Sequence, residues 1–197
     1  MRTPVKPLAV ITLCTFIFFS SQAQLKLPVI NNAISRDVKK VIEDYPNRFI
    51  NLMGEMLVEN TQSTDYQCNF AVNGAEEAFV TRYSAKKEIC SWQALMLTTD
   101  DFEKAKQKFK SLFNQLNNLS VTTGNGKTYH LKAAYEIPVE ENKFTSAVFS
   151  FEPVNETVQK LKVEISMQFV VPMEWKIKVL VYDREREDNE RGKTKEE

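Results

Sequence analysis

The chain has 197 residues, 26 basic against 26 acidic, for a formal net charge of zero, and 43% of its residues are hydrophobic. That balance argues against a polynucleotide binder, which usually carries a basic excess on one face. The length suits one domain, large enough to bury most of its apolar surface without disulfide staples.

Arg2 and Lys6 precede an apolar run, Leu8 to Phe19, interrupted only by two threonines and Cys14. Ser21-Gln22-Ala23 then places small residues at the −3 and −1 positions of a cleavage site. This order predicts a signal peptide over 1–23, a mature chain from Gln24, and a periplasmic or secreted protein. Cleavage removes Arg2 and Lys6 and leaves 24 basic residues against 26 acidic. The run is too short to span a bilayer, and no later one approaches the ~20 residues required, so no integral membrane protein is expected. Leu13 is bulkier than the residue a lipid-attachment signal needs before its cysteine.

The first helix is expected over about 35–44, with Ile34, Val38, Val41, Ile42 and Tyr45 on one stripe, Ser35 as its cap and Pro46 as its stop. Strands follow near 48–59, 65–73, 76–84 and 88–98. Asn73-Gly74 is the strongest hairpin signal and sets Cys68 opposite about Phe79. A second turn at 84–87 sets Cys90 opposite Arg82. In that register the two thiols point to opposite faces, roughly 9–10 Å apart, too far to bridge.

A second helix is expected over about 100–118, where Phe102, Ala105, Phe109, Leu112, Phe113 and Leu116 recur at helical spacing and Asp100 with Glu103 forms a capping box. Strands near 127–137, 143–152, 158–171 and 174–183 complete the chain. From Leu161 to Val171 and from Trp175 to Val181 apolar and polar residues alternate strictly, the mark of antiparallel strands with one face on a core. The fold class expected is α+β, a largely antiparallel sheet with two helices on one face. A single domain is assigned to 24–183. The Trp92 and Trp175 segments align as half-repeats, 34–98 and 100–183, each a helix plus four strands. The charged tail, 184–197, has nothing to bury and is expected to be disordered.

Chemistry is sparse. His130, the only histidine, shares parity with Lys132 and Glu136 and is expected to face solvent. It lacks metal partners at ligand spacing and a recognisable nucleophile. Glu76-Glu77, Asp100-Asp101 and Glu140-Glu141 are adjacent pairs, which a cleft hydrolase does not use. Gly124-Asn125-Gly126 lacks the lysine of a phosphate loop and reads as a hairpin. No catalytic residue, metal ligand or cofactor is therefore assigned. The aromatic residues carry more information: Tyr45, Phe49, Trp92, Tyr135, Phe149 and Trp175 are the candidate lining of a ligand or partner surface, with ordinary core packing as the competing account. The function expected is an exported, non-enzymatic binding protein for an unknown protein partner; the alternative is a carrier of a small apolar ligand held between sheet and helices.

The block from Asp44 to Glu55 (Asp-Tyr-Pro-Asn-Arg-Phe-Ile-Asn-Leu-Met-Gly-Glu), with Ser91-Trp-Gln-Ala-Leu95 and the terminal Trp175 to Asp183, resembles a family of uncharacterised exported bacterial proteins. The resemblance implies export in a Gram-negative host and brings no activity or catalytic residue. The helix-plus-four-strands unit is also similar in outline to cystatin-like and β-lactamase-inhibitor-like modules, a likeness of topology that does not carry function.

Overall fold

The computed structural model describes residues 33–84, 89–123 and 126–183. The expected signal peptide and charged tail lie outside these residues. Among these residues nine antiparallel strands form one sheet: β1 (Met53–Glu59), β2 (Ser63–Cys68), β3 (Glu77–Tyr83), β4 (Ile89–Thr99), β5 (Ser120–Thr122), β6 (Thr128–Lys132), β7 (Phe144–Glu152), β8 (Leu161–Val170) and β9 (Glu174–Asp183). Their spatial order is β1-β2-β3-β4-β9-β8-β7-β6-β5. The chain thus runs as a four-strand meander, crosses the sheet with a helix to the far edge, and returns as a five-strand meander. The α+β class with a largely antiparallel sheet is as expected. The second half holds five strands where four were anticipated, because Ser120–Thr122 folds back on β6.

Helix α1 (Ala33–Glu43) buries Ile34, Val38, Val41 and Ile42, and α2 (Phe102–Leu116) buries Ala105, Phe109, Leu112, Phe113 and Leu116. Helix α2 lies over β4, β9 and β8, and α1 packs on α2, β5 and β9. Beneath them one core-facing row crosses six strands: Tyr66, Val80, Trp92, Val181, Val163 and Phe149. Five of these six are fully buried. At ~25 cal/mol per Å² of apolar area, such rows supply most of the stabilisation of a fold this size.

Two caps differ from expectation. Ser35 lies inside α1, and its hydroxyl donates to the Gln115 carbonyl at 2.9 Å. The carboxyl end of α2 has carbonyls without helical partners, and Ser35 satisfies one of them. Helix α2 is capped one residue later than the box predicted, by Asp101, whose carboxylate accepts from the Lys104 N–H at 3.0 Å.

The first hairpin slips by one residue. Gln67, rather than Cys68, stands opposite Phe79. Gly74 does take the positive φ a turn needs, +72°, but the loop around it is broader than two residues. Asp37 of α1 accepts from both the Asn73 backbone N–H (2.8 Å) and its side-chain amide (2.9 Å), drawing the loop onto the helix. A slip of one residue reverses every side chain. Cys68 therefore shares the core face with Cys90, which does pair with Arg82, and both are buried. The two do not bridge each other: by register they stand four residues apart along the strands, roughly 13 Å, and the reason is distance rather than opposed faces.

Between α1 and β1 the strand expected from residue 48 gives way to two 3-10 turns, Tyr45–Asn47 and Ile50–Leu52. Arg48 and Phe49 both take positive φ, 54° and 58°. Asp44 organises this turn: one carboxylate oxygen accepts from the Asn47 and Asn51 side chains at 2.8 and 2.7 Å.

Candidate functional site

The six aromatic candidates do not form one surface. Phe49, Trp92, Phe149 and Trp175 are buried to 2% exposure or less, and only Tyr45 and Tyr135 are partly open. They divide into separate contacts. Tyr45 packs tilted against Phe49, ring centres 6.0 Å apart, and donates its hydroxyl to Asp183 at 2.6 Å. Tyr135 and Phe149 meet through Phe113, at 4.9 and 5.5 Å between ring centres. Trp175 packs between Phe102 (5.2 Å) and Phe169 (5.1 Å), with the Lys143 ammonium 5.7 Å from its ring. These spacings are those of core aromatic pairs. Two buried donors, Trp92 Nε1 and the Tyr129 hydroxyl, have no hydrogen-bond partner among the described residues.

The acidic pairs have structural work. Glu76 accepts from the Thr98 N–H and hydroxyl at 2.8 and 2.7 Å, and Asp101 caps α2. Glu76 also faces Lys108 on α2. Burial lowers the Lys108 pKa below its ordinary value, and the Glu76 charge pulls it partly back up. Among the described residues no group of three or more His, Cys, Asp and Glu could hold a metal ion.

His130 is exposed, as expected, but it has the neighbour that reading the sequence did not find. The Ser120 hydroxyl stands 3.0 Å from His130 Nδ1, and Glu152 is directly opposite His130 on the other side. Ser120, His130 and Glu152 thus form one row across β5, β6 and β7, all three exposed on the face away from the helices. The backbone explains the close approach. Leu131 donates its N–H to Leu119 and Thr123 to Lys127, so the odd-numbered residues of β5 make the ladder. Ser120 and His130 are then a non-hydrogen-bonded pair, in which side chains stand closest. A fold-back centred on Asn125 would have set 120 opposite 130; the Gly-Asn-Gly turn was the available signal.

Five of the eleven large apolar side chains that are exposed among the described residues gather at one end of the sheet, while Val154 and Ile50 stand elsewhere. Val171 and Met173 form the tip of the β8–β9 turn at 95% and 71% exposure, and Ile137, Val139 and Phe144 are exposed in the neighbouring β6–β7 connection and the start of β7. The Lys143 carbonyl accepts from the Phe169 N–H at 2.8 Å, which holds that connection beside the turn. A second exposed group, Met56, Leu57 and Val58, lies on edge strand β1. Two register irregularities interrupt that edge, a device that discourages unplanned strand pairing.

Comparison with family models, with curated proteins and with solved structures gives no match in any of the three. No helix among the described residues is long and apolar enough to cross a membrane.

Proposed function

We propose that the chain is exported and acts as a binding protein, meeting a macromolecular partner through the apolar end of its sheet. The observation that carries this is the Val171-Pro172-Met173 tip, whose valine is almost wholly and whose methionine is largely in solvent. Clustered exposed apolar side chains on a folded chain are characteristic of interaction sites. Site-specific cross-linking tests it: a Met173→benzoylphenylalanine variant produced in the native host should give one discrete protein adduct, abolished by Val171→Glu. No adduct, or one indifferent to Val171→Glu, refutes the reading. Mature protein whose first residue is not near Gln24 refutes export by the expected signal.

A carrier of a small apolar ligand is the alternative, favoured by the aromatic side chains packed between sheet and helices, Phe113, Tyr135 and Phe149 among them. Native mass spectrometry separates the two: a stoichiometric small adduct supports the carrier, and its absence removes it.

A further inference from the structure

We propose that Ser120 is a nucleophilic serine, activated by His130, that accepts an acyl group from an activated ester. The site lies at the opposite end of β7 from the apolar tip and does not depend on the binding function proposed above. Three requirements of acyl transfer meet on this sheet edge. The nucleophile and base are in place, with Ser120 Oγ 3.0 Å from His130 Nδ1. Glu152 is the cross-strand neighbour of the same imidazole, within side-chain reach for a directly opposed pair, and acts as the positioning residue for the ring. A donor for a developing oxyanion comes from the backbone. Because the Leu119 carbonyl bonds Leu131 and the Thr123 N–H bonds Lys127, the two-residue period turns the Ser120 N–H towards the outer edge of β5. No described strand lies beyond that edge. The N–H of the nucleophilic residue is the kind of donor that stabilises a tetrahedral oxyanion.

The step is balanced within the row and its substrate. Ser120 Oγ forms a bond to the carbonyl carbon as its proton passes to His130, and the carbon–oxygen bond to the leaving group breaks as that proton is returned to the departing alkoxide. The product is acyl-Ser120 and an alcohol. The row is exposed to water, so the acceleration expected is that of general-base assistance, about 10²–10⁴-fold.

A serine-selective fluorophosphonate and p-nitrophenyl acetate, applied to the intact protein with the modified residue mapped by peptide mass, test this. Both should modify Ser120, and Ser120→Ala should abolish that modification. His130→Gln should slow it by about 10²–10⁴-fold, with added imidazole restoring part of the rate. Glu152→Gln should slow it less, and Glu152→Asp should recover it. The substituted side chains are exposed, and circular dichroism verifies that each variant folds. Modification elsewhere, or an equal rate at Ser120 with His130→Gln, overturns the proposal and leaves the row a surface hydrogen bond.

Discussion

Phe113→Ala should cost about 3–4 kcal/mol, and the figure follows from where the ring sits. Phe113 is 7% exposed and joins three parts of the fold: its own helix, the connection carrying Tyr135 at 4.9 Å, and β7 through Phe149 at 5.5 Å. Truncation of a buried phenylalanine typically costs ~3–5 kcal/mol from lost transfer energy and the cavity left behind. The slight exposure of this ring favours the lower half of that range. Phe113→Leu keeps most of the apolar volume and loses chiefly the two ring pairs, each worth ~0.5–1.5 kcal/mol, so about 1–2 kcal/mol is expected. Urea unfolding followed by tryptophan fluorescence measures both. With a slope of roughly 2 kcal/mol/M, the alanine variant should unfold nearly 2 M earlier. A loss below about 1 kcal/mol for Phe113→Ala would mean that the ring does not join these elements and would refute the packing account of Tyr135 and Phe149.

Asp101→Ala removes the cap of α2 and should cost about 1 kcal/mol, read from the same unfolding curves; Asp100→Ala should be nearly silent. Gly54→Ala should destabilise by about 1–3 kcal/mol, because its new Cβ would lie 2.9 Å from the Gln67 carbonyl oxygen, a backbone atom that cannot swing aside. Lys108→Met isolates a pH effect. A lysine whose pKa is lowered by folding binds fewer protons folded than unfolded, so its contribution to stability rises with pH between the lowered value and the ordinary one near 10.5, and is unfavourable below that window. Wild type should therefore gain on Lys108→Met as pH rises through that window, and thermal melts that show the opposite slope would sink the assignment.

What could be read from the sequence depended on how strictly each segment repeats. Strands β8 and β9 and helix α2 alternate or recur without exception, and their positions agree closely with expectation. The strand expected to 137 stops at Lys132, because Tyr135 turns towards Phe109 and Phe113 of α2 instead of pairing with β7. Strand β5 is three residues long, too short to show a period. Without it His130 had no visible partner, and the serine beside it stayed hidden. The hairpin slip was illegible for a different reason: the Asp37 carboxylate that reshapes the loop lies 36 residues away. Local turn chemistry cannot report such a tether. Of the six aromatic candidates, Phe49, Trp92, Phe149 and Trp175 lie in the core and Tyr45 and Tyr135 at its margin, a division that size and polarity alone do not announce.

The seam of the sheet joins β4 to β9, and β9 is the final strand of the described chain. Of the described strands a ribosome releases that one last, yet it belongs at the centre. Until 174–183 arrives, β4 and β8 have no common neighbour and the Trp92 row has a missing rung. The finished arrangement works like a keystone: an incomplete chain has two loose wings, and a stop codon two dozen residues early, ahead of Glu174, would leave both unsupported rather than trim an edge.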